Sequence, residues 1–329
     1  MSQQDNSRGN ATVDAQSINA PLTRAAVFLV LTVKDSPAAL AQACDGVSSV
    51  GDLLKDVGFR DPAGNLTCNV GIGSALWDRL GIQKRPAELK PFTAIQGAKY
   101  NAPATPGDLL FHIRADRTDL VFEFERILLN TLGDSVKVED EVSGFRYFDA
   151  RDLLGFIDGT ANPNGLDLPE ASQVGSEDAD FRGGSYVVVQ KYLHDLTAWG
   201  QQTAEQQEKI IGRTKLDNIE LDDDAWAQKT HKTLATIVDE QGVEHDILRD
   251  NMPFGRPGQQ EFGTYFIGYS RRLWVTEKML QRMFVGEPVG KYDKLLDFST
   301  AHTGCTFFAP TRDVLANLPD LATALAKKG

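Results

Sequence analysis

An apolar, β-rich run followed within a few residues by a helix-like stretch recurs along this chain at nearly matched intervals, and no other feature constrains its fold as strongly. The first such run is Ala25–Val33, followed by a helix-like stretch from Ser36 whose Pro37 suits a first helical turn. A second run, Asp108–Arg114, leads into a predicted helix from Asp119 to Leu132. Later, Ser185–Tyr192 leads into a helical reading through Leu196–Trp199, and Thr264–Tyr269 into one from Thr276 to Phe284. The spacing from 25 to 109 resembles that from 186 to 265, which predicts a duplicated unit. Strands alternating with helices at this density favour an α+β fold, with two ferredoxin-like βαββαβ halves and antiparallel sheets, of the dimeric α+β barrel type. The predicted division is a flexible polar arm at 1–21, a first half at 22–150 and a second half at 151–329.

With 329 residues, of which 41% are hydrophobic, the chain is long enough to enclose a cofactor completely. A formal charge of −12 argues against nucleic acid or an anionic membrane as partner, because both call for a concentrated basic surface. A small or neutral substrate fits better. The polar N-terminus lacks the basic and apolar regions of a secretory signal, and no run approaches the ~18 apolar residues of a membrane span. Cys44, Cys68 and Cys305 are odd in number and form no CxxC pair, so neither a disulfide framework nor a zinc site is expected, and the chain reads as cytoplasmic.

Between the halves lies Gly155–Gly184, a connection long enough to be functional in its own right. It opens on Gly155-Phe156-Ile157-Asp158-Gly159-Thr160-Ala161-Asn162-Pro163, which sets a carboxylate between an apolar pair and a glycine. Ile157 and Phe156 would exclude water around Asp158, and Gly159 would let the backbone lie close to a flat ligand. A second string, Ile247-Leu248-Arg249-Asp250-Asn251-Met252-Pro253-Phe254-Gly255, carries a permanent cation two residues before an amide. In an extended segment those two side chains share a face.

The string GFIDGTANP resembles the signature of the dye-decolorising peroxidases, in which the aspartate stands over a haem. The second string is similar to the distal segment of that family, where the arginine faces peroxide and the asparagine is its neighbour in the bacterial B-type branch. The resemblance implies one haem b per chain, seated in the second half. His231 lies between the two strings, where the family carries its axial ligand; His245 also does, but only four residues before Arg249, too close to reach the other face of a haem easily. The late acidic segment Tyr292–Ser299 implies a carboxylate partner for the axial imidazole, Asp293 or the nearby Asp297. Arg213, in Ile210–Lys215, resembles the arginine that meets a haem propionate, a contact suited to a planar guanidinium.

The implied reaction is reduction of hydrogen peroxide coupled to one-electron oxidation of dyes or small aromatic donors by a homo-oligomer. Asp158 or a bound water would move a proton between the peroxide oxygens while Arg249 stabilises the developing negative charge. The rival reading is a haem-binding or haem-handling protein without turnover. Such a protein would have no use for a carboxylate and a guanidinium above the metal.

Overall fold

The computed structural model describes residues 13–222 and 228–320. Ten strands form one curled sheet. In the first half these are β1 (Ala25–Val33), β2 (Thr67–Gly73), β3 (Leu109–Ala115) and β4 (Val136–Phe145), with α1 (Pro37–Ser48), α2 (Val50–Gly58) and α3 (Thr118–Leu132) between them. The second half supplies β5 (Ser185–His194), β6 (Leu248–Arg249), β7 (Met252–Arg256), β8 (Glu261–Ser270), β9 (Ser299–Ala301) and β10 (Cys305–Ala309). Its helices include α4 (His231–Ala235) and α5 (Leu273–Val285).

The strands of the first half lie in the order β4-β1-β3-β2, and those of the second in the order β10-β5-β8 with β6 and β7 both on β8. Both halves thus show the fourth-first-third-second order of a ferredoxin-like βαββαβ unit, antiparallel throughout. The halves join where β10 pairs with β2, Phe307 opposite Gly73. A Cβ added at Gly71 would come within 2.8 Å of Phe307 Cβ, so a glycine is needed for this seam to close.

Both faces of β1 are buried, for different reasons. Val27, Leu29 and Leu31 face the helices, in one cluster with Val47 of α1 and Phe124 and Leu128 of α3. Ala26, Phe28 and Val30 point the other way, into a second core with Val187, Tyr265 and Ile267 of the other half. The Phe28 ring stacks on Tyr265 at 4.3 Å. Local chemistry fixes the helix starts: Ser36 caps α1, accepting from the Ala39 amide at 3.1 Å, with Pro37 in the first turn.

One part of the expected organisation is corrected. Residues 13–21 were expected in a flexible arm, yet Ile18 is fully buried and the Gln16 amide donates to Val70 O and Pro310 O, both at 2.8 Å. A buried amide that satisfies main-chain groups of two strand regions cannot be a free arm. Residues 1–12 lie outside the described residues. The connection after Gly155 is likewise folded, through a short helix at Asp167–Ser172 and a Val174 N–H to Gly184 O bond of 2.8 Å before β5. Among the described residues no helix is long and apolar enough to cross a membrane.

Candidate active site

A cavity opens between the second half of the sheet and its helices, and every residue lining it falls between Asp152 and Ser299. Leu154, Phe156, Ile211, Phe266, Met279 and Met283 give it an apolar wall suited to a large planar ligand. The few polar side chains that interrupt this wall are the ones with chemistry.

His231 begins α4, whose first turn is capped by the Thr230 hydroxyl accepting from the Thr233 amide at 3.3 Å. The imidazole lines the cavity, and its Nδ1 lies 2.6 Å from Asp293 Oδ2. Asp293 is fully buried and held from behind, because its Oδ1 accepts from the Leu295 amide at 2.9 Å. Burial favours the neutral ring, but the Asp293 carboxylate outweighs it and holds the His231 pKa above its ordinary value. With Nδ1 engaged, Nε2 is the nitrogen without a hydrogen bond among the described residues. That is the arrangement of a metal-ligating histidine oriented by a carboxylate. Of the two acidic candidates, Asp293 is the one against His231. Asp297 instead accepts from Lys99 Nζ at 2.7 Å, Tyr100 OH at 2.8 Å and Tyr292 OH at 3.0 Å.

Ile157 and Asp158 reach the cavity from a tight turn. Gly155 takes φ +94°, Phe156 N–H donates to Asp152 Oδ1 at 3.0 Å, and Arg151 Nη1 donates to Gly155 O at 2.9 Å. Asp158 Oδ1 accepts from the Gly159 amide at 2.7 Å and Oδ2 from Asn251 Nδ2 at 3.0 Å. Asn251 is fixed in turn, since its Oδ1 accepts from Ile267 N at 3.0 Å. Alternation along the extended segment puts Arg249 and Asn251 on the cavity side together, with Asp250 between them buried on the other. The Asn162 amide clamps the main chain of Arg249, donating to its O at 2.7 Å and accepting from its N at 3.0 Å. The Arg249 guanidinium lines the cavity, and its buried Nε has no hydrogen-bond partner among the described residues. Burial lowers its pKa, an effect opposed by Asp158. An orphaned, desolvated cationic donor beside a carboxylate is a site for a ligand oxygen that develops negative charge.

Two expected residues lie elsewhere. Gly159 lines a smaller neighbouring cavity, which shares Asp158, Arg249 and Asn251 with the large one. Its φ of +81° and its place beside Asn162, 3.3 Å from an added Cβ, favour a glycine there. Arg213 is not among the lining residues; it pairs with Glu220 and donates to Asn218 O at 3.1 Å, near enough for its charge to act on Arg249. His245 is remote from the cavity wall, bonded to Asp239 Oδ2 at 2.8 Å and edge-on to Trp274.

Three residues of the site escaped the sequence reading. Asn162 is in the quoted string, but its clamp spans 87 residues of chain and leaves no local pattern. His194 lines the cavity with both nitrogens engaged, by Ser299 Oγ at 2.8 Å and Thr264 Oγ1 at 2.9 Å, and burial lowers its pKa to about 4. Asp152, at the head of the apolar run Leu153-Leu154, was the legible one: a carboxylate entering a buried segment. Its pKa is raised to about 7, first by burial and then by the charge of Asp158. A raised carboxyl pKa favours the folded state fully at low pH, and that contribution is lost as pH rises from the ordinary range of ~4 to about 7. Asp152→Asn, which keeps an acceptor for Phe156 N–H, should therefore gain on the wild type between pH 5 and 8. Thermal melts of the intact protein at the two pH values should show a relative gain on the order of a few degrees; equal differences at both would place the titration elsewhere.

Two ferredoxin-like halves, the second enclosing an apolar cavity with a carboxylate-backed imidazole and an aspartate–arginine–asparagine cluster, define a redox enzyme of the haem-peroxidase class. Residues 15–146 match the model of the Dyp-type peroxidase N-terminal region and residues 149–314 that of its C-terminal region, so the chain belongs to the Dyp-type peroxidase family. A dye-decolorizing peroxidase of Rhodococcus erythropolis is 53% identical over 310 residues, covering 94% of this chain and 90% of that protein. The crystal structure of DyPB from Rhodococcus jostii superposes with a TM-score of 0.90 at 57% identity, covering 92% of this chain and 97% of that one. A variant of the same protein, solved in complex with heme, gives a TM-score of 0.88 at 57% identity over 90% of this chain and 96% of that one.

Proposed function

We propose that the chain holds one b-type haem in the large cavity, where His231 Nε2 would bind its iron, and reduces hydrogen peroxide while oxidising aromatic donors by one-electron steps. The residues present fit that group: the wall is apolar, and among the described residues one nitrogen of His231 and the buried Nε of Arg249 have no hydrogen-bond partner. When bound, the haem supplies the redox centre that accepts oxidising equivalents from peroxide and returns them to donors.

The protein's own part is acid–base and electrostatic. Asp158, held by Asn251 and the Gly159 amide, takes the proton from one peroxide oxygen and delivers it to the other. Arg249 stabilises the negative charge that grows on the departing oxygen, in a site where burial strengthens the interaction. Asn251 keeps the carboxylate aimed. Asp293 keeps the His231 tautomer that presents Nε2 and makes the ring a stronger ligand. The observation that carries this reading is the meeting, in one cavity, of the His231–Asp293 pair with the Asp158–Arg249–Asn251 cluster. A haem carrier without turnover has use for the first and none for the second.

The test is haem uptake by the purified protein, followed by donor oxidation on adding hydrogen peroxide; uptake without peroxide turnover would favour the carrier. Arg213 gives a finer check. If it leaves Glu220 to meet a propionate, Arg213→Leu should lose haem severalfold faster while the haem that stays reacts with peroxide normally. Haem retention equal to the wild type would leave Arg213 as the Glu220 ion pair alone.

A further inference from the structure

The first half lends no side chain to the large cavity, yet it places a buried cation directly behind the segment that carries Arg249 and Asn251. On β3, Leu110, His112 and Arg114 point together into the core between the halves, the alternate residues of one strand face. Arg114 is 1% exposed and Asp250 3%, and Arg114 Nη1 donates to Asp250 Oδ2 at 2.5 Å. The second arm of the guanidinium, Nη2, donates to Ser17 O at 2.6 Å, so the fork is fixed at both prongs. His112 closes the same cluster: its Nδ1 meets Tyr269 OH at 2.9 Å, Tyr269 also takes Asn69 Nδ2 at 3.3 Å, and Nε2 lies 3.8 Å from Asp250 Oδ2.

Asp250 has no access to the large cavity, but it stands between the two residues that do. The strand here is short, with only Leu248 and Arg249 paired to β8 before the chain bends into β7. The main chain of Arg249 is tied by Asn162, and the Asp250 amide reaches Ile267 O only at 3.2 Å. The buried ion pair adds a charge-assisted restraint on the rotation of this segment, at the one residue of the three whose side chain faces the first half. A charged pair of this kind is seldom retained for stability, since apolar residues of like volume serve as well; fixing one geometry is its better-supported use.

We infer that Arg114 is a positioning residue for the peroxide reaction, acting from the first half through Asp250 to set the direction of the Arg249 guanidinium and the Asn251 amide. The inference rests on Arg249 facing the ligand side of the haem. It gives the first half a part in catalysis, because a second half alone would leave Asp250 buried without its cation. It also accounts for a guanidinium at position 114, whose planar fork reaches Asp250 and Ser17 O from two separate nitrogens, a geometry a single ammonium nitrogen does not reproduce.

Fluoride binding to the ferric holoprotein supplies a readout that does not depend on turnover, because a bound anion senses the Arg249 cation directly. Arg114→Lys should weaken fluoride about tenfold and slow the peroxide reaction by a similar factor, with haem retention unchanged. Asp250→Asn should do the same, and keeps the claim testable if Arg114→Lys does not fold. In the background of Arg249→Leu, Arg114→Lys should have no further effect on fluoride, since both act through one group. Leu110→Ala, a cavity on the same strand face, should lower Tm and leave fluoride affinity as in the wild type. Wild-type fluoride affinity in Arg114→Lys, or an equal loss in the Arg249→Leu background, would reduce Arg114 to a structural residue and overturn the inference. Unchanged fluoride affinity in Arg249→Leu itself would instead remove the Arg249 reading, and this inference with it.

Discussion

Replacing His231 by alanine is expected to strip the protein of most of its haem, while His245→Ala leaves the spectrum close to that of the wild type. The contrast follows from where each ring's nitrogens point. His231 gives Nδ1 to Asp293 at 2.6 Å and lines the cavity, so its loss removes the only imidazole on that wall whose second nitrogen lacks a hydrogen bond among the described residues. His194 shares the cavity but cannot substitute, because Ser299 and Thr264 occupy both its nitrogens. His245 gives Nε2 to Asp239 at 2.8 Å and packs against Trp274 at 4.9 Å, away from the cavity wall. Absorption in the Soret region after haem titration separates the two variants. Reversed outcomes would put the ligand at His245 and remove the role assigned to Asp293.

The second large effect belongs to Arg249. Arg249→Leu should slow the reaction with peroxide on the order of a hundredfold, the loss usual for deleting one preorganised electrostatic stabiliser. The slowing should hold at every working pH, because a guanidinium keeps its proton throughout that range. The fold should tolerate the change well. The Asn162 clamp grips the main chain of residue 249 and survives any side chain there, and the deleted Nε is a buried donor with no partner among the described residues. Stopped-flow mixing with peroxide gives the rate directly, and thermal melts give the stability. A wild-type rate would mean that the guanidinium is not what meets the oxygen.

Much of this architecture is legible in the sequence, and what is hidden shares one physical cause. Apolar runs with β-branched and aromatic residues mark β1, β3 and β5, because strands buried on both faces need little polar alternation. The helix expected from Asp119 begins at Thr118, and the one expected from Thr276 begins earlier, at Leu273, where an arginine precedes the first turn without a side-chain cap. The strings around Asp158 and Arg249 announce themselves because a charge inside an apolar stretch is costly unless it serves a purpose. Asn162 and Gln16 gave no such sign. Their partners lie 87 and 54 residues away, and a hydrogen bond across that distance leaves no period or spacing to read. Gln16 shows the consequence most plainly: a polar leader reads as loose chain until the main-chain groups it satisfies on Val70 are known.

The central claim is that one cavity binds haem and reacts it with peroxide, and the most direct measurement is the visible spectrum of the haem-loaded protein before and within milliseconds of mixing with one equivalent of hydrogen peroxide. A ferric haem spectrum that changes rapidly with peroxide and returns on adding an aromatic donor is expected, with the change on adding peroxide much slowed in Arg249→Leu. A haem spectrum unmoved by peroxide in the wild type would contradict it.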